Sequence, residues 1–263
     1  MMLPFDIDLR FALSGLLVGL LVGQTGVGGG SLMTPLLLIL LFGFSPATAV
    51  GTDLLYASAT KSVGTVVHGL SHTIDWRIAR RLATGSLPGT AVGLVVLSQL
   101  NVGASSQMRW MSVLLGGMLI VTAVSLLFRS QLLAAMGPGR GALPSRRQTG
   151  LTVLTGFCLG VLVTMTSVGA GALGVTALLL LYPRERLPVI VGTDIAHAVP
   201  LTLLAGVGHW WLGSVDVGLL TSLLTGSIPG IIVGSWLASR MPEFVLRPVL
   251  AVTLAVVGMR IVL

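Results

Sequence analysis

The sequence predicts an all-α integral membrane protein made of two tandem, inverted repeats of about five helical elements each, some short and broken or re-entrant. Three observations predict it. Of 263 residues, 54% are hydrophobic and only 9% are charged, against about 25% charged in an average soluble domain. The chain matches itself when shifted by 141 residues. Its arginines fall mostly on one side once the apolar runs are threaded back and forth.

Mean hydropathy is +1.00. Lipid is the solvent that stabilises such a surface. Apolar runs cover 9–23, 32–44, 46–70, 78–99 and 109–128, then 151–165, 172–182, 187–212, 217–237 and 245–263. A full span needs about 20 apolar residues. The first two runs of each set are short by that measure. The first run belongs to the repeat, and Asp6 and Asp8 precede Arg10 where a signal peptide would be basic, so it is expected to be retained.

The repeat is carried by residues that an apolar composition does not match by chance. Val50-Gly51-Thr52-Asp53 falls on Val191-Gly192-Thr193-Asp194, His68 on His209 and Asp75 on Asp216. Thr84-Gly85-Ser86 and Pro88-Gly89 fall on Thr225-Gly226-Ser227 and Pro229-Gly230. From Val27 to Gly93, 23 of 67 positions are identical without a gap. The domains are therefore a first membrane repeat over 1–128, a polar linker over 129–148 and a second membrane repeat over 149–263. The linker holds Gly137-Pro138-Gly139-Arg140-Gly141.

Net charge is +7. With five elements per half, Arg77, Arg80, Arg81, Arg129, Arg140, Arg146, Arg147, Arg184, Arg186, Arg240 and Arg247 share one side. Only Arg10, Arg109 and Arg260 occupy the other, a split of eleven to three. Fusing the first two elements of each half gives nine to five. The sharper asymmetry favours five, which inverts the second half and places the linker in the cytoplasm of a multi-pass inner (plasma) membrane protein. Inverted repeats are a transporter plan, with the site where the repeats meet near the midplane. No basic stripe is interleaved with aromatics, so nucleic acid is not an expected partner. The single Cys158 excludes an internal disulfide and reads as a buried, inert thiol.

Two glycine-rich stretches interrupt apolar runs at matching places: Gly26-Val27-Gly28-Gly29-Gly30-Ser31 and Ser167-Val168-Gly169-Ala170-Gly171-Ala172. Irregular backbone at membrane depth survives only inside protein or beside a watery cavity. A helix restarting there offers unpaired N–H groups and the positive end of its dipole. Close helix packing is the alternative use of such residues.

Asp53 and Asp194 lie about two turns into their helices. A carboxylate at that depth costs about 2.5–3.5 kcal/mol, which a proton-coupling role or a structural hydrogen bond would justify. Lys61, matched by Thr202, would neutralise an anion, pair with Asp53 or snorkel to the interface. His68 and His209 read as satisfied interfacial rings or as a proton relay. Asp75 and Asp216 read as helix caps, and Trp76, Trp110, Trp210, Trp211 and Trp236 as interface anchors. No nucleophile–base pair, metal-ligand set or cofactor fingerprint is present, so an enzyme, a bound metal and a cofactor are not expected.

Gly26-Val27-Gly28-Gly29-Gly30, Pro35, Ala49-Val50-Gly51-Thr52, His68, Ile74-Asp75-Trp76 and Gly85-Ser86-Leu87-Pro88-Gly89 resemble the TauE/SafE family, the sulfite exporter and sulfonate uptake permeases. The resemblance spans nearly the whole chain except the linker. It implies a permease for small sulfur-containing anions such as sulfite, sulfonates or sulfoacetate. It also implies that Gly28, Gly29, Gly30, Thr52, Gly169, Gly171 and Thr193 approach the substrate. Ser31 and Lys61 join that set on their own chemistry. The family pattern more often has Ser where this chain has Asp53 and Asp194. With an anion held between the breaks, ionised Asp53 and Asp194 would repel it, and protonation would couple anion to proton. The competing reading is a cation transporter or channel using the same two acids. The expected partners are a small anion and the lipid bilayer, with a homodimer left open.

Overall fold

The computed structural model describes residues 8–25, 34, 39, 42–99, 104–135, 145–237, 252 and 254–261. Eight helices account for most of them: α1 (Leu9–Thr25), α2 (Pro46–Leu70), α3 (Trp76–Gln99), α4 (Ala104–Ala135), α5 (Ser145–Thr166), α6 (Ala172–Leu181), α7 (Leu187–Trp211) and α8 (Val217–Leu237). Residues 254–261 are helical as well. No strand occurs among the described residues.

The helix ends follow from local chemistry. Ser45 caps α2 by accepting from the Thr48 N–H at 3.2 Å, with Pro46 in the first turn. Asp75 Oδ1 caps α3 through the N–H groups of Arg77 and Ile78 at 2.8 and 3.1 Å. Asp216 Oδ1 does the same for α8 through the Leu219 N–H at 2.9 Å. Both acids are therefore the caps that the sequence predicted.

Among the described residues, four stretches, 76–99, 109–129, 145–166 and 187–211, are long and apolar enough to cross a bilayer. Helix α6 has 10 residues, about half a bilayer at 1.5 Å per residue. It is the short element expected in the second half. Helix α5 is longer than its apolar run, because Ser145–Gly150 adds polar turns and makes 22 residues. Helix α4 runs to Ala135 and α5 begins at Ser145, and residues 136–144 between them lie outside the described residues. Large apolar side chains lie exposed along the outer faces, among them Leu13, Leu17, Val95, Val121, Leu154 and Ile232. Cys158 shares such a face and is exposed, not buried, because it follows Phe157 on the outward side of α5.

The two repeats are interlocked. Helix α1 packs on α8, and its counterpart α5 packs on α3. Each seam is made of glycines facing backbone. A methyl group added at Gly15 or Gly19 would land on the carbonyls of Leu223 and Ser227, and one at Gly226 or Gly230 on those of Ala12 and Leu16. In the other seam Gly156 and Gly160 face Leu82 and Ser86, while Gly85 and Gly89 face Val153 and Phe157. Every contact in one seam is its partner in the other displaced by 141 residues. The first helix of each half thus lies against the other half.

Helices α2 and α7 pack together in the centre. A side chain at Gly206 would meet Leu55, and one at Gly64 would meet Ile195. The start of each helix lies beside the end of the other, so these equivalent helices run antiparallel. Antiparallel equivalents are the hallmark of inverted repeats, which agrees with the arginine count. At each end a reciprocal bond closes the pair. Thr193 Oγ1 accepts from the Asp75 N–H at 2.9 Å, and Thr52 Oγ1 accepts from the Asp216 N–H at 3.0 Å. Replacing both Thr52 and Thr193 with valine is expected to cost about 1 kcal/mol per site, because each strands a part-buried N–H. A melting curve of the detergent-solubilised double variant checks this.

Candidate functional site

The centre of the protein holds charges that lipid cannot hold. Asp53 is 0% exposed, Asp194 1%, His197 2% and Lys61 5%. Asp53 and Lys61 stand on α2, Asp194 and His197 on α7. Because the two helices are antiparallel and Gly64 meets Ile195, Lys61 falls between the levels of the two acids. It lies in electrostatic reach of Asp194 and Asp53 both.

The second glycine break lies against this cluster. Helix α5 ends at Thr166, and α6 restarts at Ala172. Between them Ser167, Gly169 and Gly171 take positive φ values of 56°, 111° and 122°, the left-handed region that glycine enters without steric cost. Ser167 donates to Asp53 Oδ2 at 2.5 Å, and Lys61 Nζ donates to the Ala170 carbonyl at 3.2 Å. Among the described residues, nothing accepts from the N–H groups of Gly169, Ala170, Gly171 or Ala172. The break in the second half therefore serves the acid and the lysine of the first. The first break, with Gly28, Gly29, Gly30 and Ser31, lies outside the described residues.

The two acids are equivalent by sequence and unequal in surroundings. Asp53 Oδ2 accepts from Thr34 Oγ1 at 2.7 Å as well as from Ser167. Among the described residues, neither oxygen of Asp194 has a hydrogen-bond partner. The cause is readable in the repeat: Val175 stands where the first half has Thr34, and Gly26 where the second half has Ser167. Gly174 lies against the Asp194 carboxylate so closely that a Cβ there would collide with Oδ1.

Sequence reasoning missed His197. Its Nε2 lies 2.8 Å from Ser86 Oγ, and its Nδ1 is buried without a partner among the described residues. Lys61 lies in electrostatic reach of it. Its counterpart is Tyr56, which stands beside Ser227 as His197 stands beside Ser86, without a bond of good geometry between the hydroxyls. A comparison of the halves passes over an unmatched His and Tyr. The available signal was a histidine inside an apolar helix.

The other predicted residues lie away from this cluster. The Thr52 and Thr193 hydroxyls hold the reciprocal clasps at the two ends of the α2–α7 pair. His68 Nδ1 lies 2.8 Å from Thr73 Oγ1, and His209 Nε2 lies 2.9 Å from the Thr164 carbonyl. His68 follows Asp53 by 15 residues on α2, about 22 Å along the axis, so those two do not share a site. Each histidine instead abuts a glycine of the other half, His68 against Gly192 and His209 against Gly51. Among the described residues no group of three metal-ligating side chains is present.

Comparison with known proteins agrees with this architecture. The family model for sulfite exporter TauE/SafE matches residues 11–261. The probable membrane transporter protein YjnA of Bacillus subtilis (strain 168) is 39% identical over 251 residues, covering 95% of this chain and 98% of its own. The probable membrane transporter protein YdhB of the same organism is 28% identical over 246 residues, covering 92% and 95%. A probable membrane transporter protein of Xylella fastidiosa (strain 9a5c) is 26% identical over 244 residues, covering 86% and 83%. No solved structure matches the chain. With the family matched over almost the full length and the helices to span a bilayer, the chain belongs to the TauE/SafE family and is a membrane transporter, not an enzyme.

Proposed function

We propose that the chain carries a small anion, a sulfur-containing oxyanion or organosulfonate such as sulfite or sulfoacetate, with a proton. The observation that supports this best is Lys61, a buried ammonium at a broken helix whose restarting amides have no acceptor among the described residues. Charge-assisted bonds from an ammonium and oriented amides suit an oxyanion. A cation fits less well, because Lys61 already places a positive charge in electrostatic reach of both acids.

Charge balance gives the coupling. Two carboxylates and one ammonium leave one excess negative charge. A bound monoanion makes that two, and an unpaired buried charge costs several kcal/mol. One proton restores the charge of the empty site, so one proton accompanies one monoanion. Among the described residues, Asp53 has two hydroxyl donors to balance its charge and Asp194 has none. Asp194 is therefore the residue that takes the proton.

Uptake into proteoliposomes tests this. An inward proton gradient is expected to drive accumulation of sulfite or a sulfonate by the native chain. Asp194→Asn is expected to abolish the dependence on the gradient while anion exchange persists, and Asp53→Asn to keep it. Unchanged pH dependence when both are replaced would end the coupling scheme. A cation current without anion uptake would end the anion assignment.

A further inference from the structure

A second polar site lies at the arginine-rich end of the molecule, and the central site does not use it. We infer that it binds a phosphate-bearing ligand. It is a cavity of about 270 Å³ where the first turns of α3 and α5 meet the loop between α6 and α7. Arg77, Arg81 and Arg184 all line it.

The walls are fixed. The Tyr182 hydroxyl lies 2.8 Å from Thr152 Oγ1 and accepts from Arg81 Nη1 at 3.5 Å. Gln148 Nε2 donates to the Leu181 carbonyl at 2.8 Å. The guanidinium groups are not equally engaged. Among the described residues, nothing accepts from the side chains of Arg77 or Arg184. Two acids line the cavity, Asp75 and Glu185. Asp75 Oδ1 is turned to the N–H groups of Arg77 and Ile78. Three arginines against two acids leave the lining of this cavity net positive. Arginine forks match phosphate oxygens in pairs. The N-terminal ends of α3, α5 and α7 add positive potential from the same side.

The location favours phosphate over the transported anion. The cavity sits at the end of the bundle, where headgroups lie and basic side chains meet anionic lipid. The central site begins seven residues further along α7, at Asp194, about 10 Å deeper. The ligand's phosphate belongs either to a phospholipid headgroup or to a small soluble phosphate, and the chemistry of recognition is the same.

Native mass spectrometry and melting curves of the purified full chain in detergent test this, with phosphatidylglycerol, diacylglycerol and inorganic phosphate as probes. The native chain is expected to bind phosphatidylglycerol in preference to diacylglycerol, which lacks the phosphate. The double variant Arg77→Gln/Arg184→Gln is expected to bind it about tenfold more weakly, from loss of charged hydrogen bonds. Its ligand-free melting temperature should be unchanged, since neither side chain holds the fold. Lys61→Met should bind the lipid as the native chain does, which separates this site from the central one. Stabilisation by inorganic phosphate, lost in the double variant, would assign a soluble ligand. Equal binding by the native chain and the double variant, or no preference for phosphatidylglycerol together with no effect of inorganic phosphate, would overturn the site.

Discussion

Lys61→Met is expected to lower anion uptake at least about thirtyfold while the folded protein persists. Removing one partner of a buried charge-assisted contact typically costs about 2–5 kcal/mol, and each 1.4 kcal/mol is a tenfold factor. In the native chain the ammonium donates to the Ala170 carbonyl and faces two acids, so its remaining donors are the positive charge that an anion would meet. Methionine fills similar space without charge. Loss of the ammonium leaves the acids to protonate rather than the helices to separate, so the melting temperature should fall little. Lys61→Arg keeps the charge, and part of the uptake should survive in it. Radiolabelled sulfite or sulfonate uptake, normalised to monodisperse protein, reads the effect. Native rates in Lys61→Met would remove the lysine from the site.

Alanine at the glycine seams is expected to have the largest effect on stability. Gly85→Ala places its methyl on the Val153 carbonyl, and Gly226→Ala places its own on the Ala12 carbonyl. Backbone cannot step aside as a flexible side chain can. Overpacking of this kind costs about 1–3 kcal/mol per site and sometimes more. The two sites lie in separate seams, so the double variant should lose about the sum. Gly117 is the control: it also lies in a helix, yet a methyl there has none of the described residues within 4 Å. Gly117→Ala should be neutral or gain up to about 1 kcal/mol from helix propensity. Melting temperatures in one detergent check all three. Equal behaviour of Gly85→Ala and Gly117→Ala would mean that the seams are not packed as described.

Much of the fold was legible because membrane helices tolerate few polar residues. Each Asp, His, Thr or Pro that recurs after 141 positions carries weight that Leu and Val do not. The same scarcity made the arginine split informative, and the antiparallel α2–α7 pair agrees with it. The interlocking of the halves was not legible. Gly15, Gly19, Gly85 and Gly89 announce close approach to some backbone, but nothing in a small residue says which helix it will meet. Within the site, Asp53 and Asp194 were visible as a symmetric pair, while their inequality hid in an unremarkable difference, Thr34 against Val175. Lys61 was read with three roles, and the partner that anchors it, the Ala170 carbonyl, is backbone and leaves no mark in a sequence. His197 was passed over because attention to repeated residues discards those that differ.

Helix α1 finds its glycine-matched partner in α8, which is made some two hundred residues later. The ribosome must therefore deliver most of the chain before the first helix can dock. Until then its flat, small-residue face waits in the bilayer among lipids or insertion factors. A nascent chain stopped short of α8 would hold α3 and α5 already zipped but leave α1 a loose strand of cargo, open to degradation or to capture by a neighbouring copy's α8.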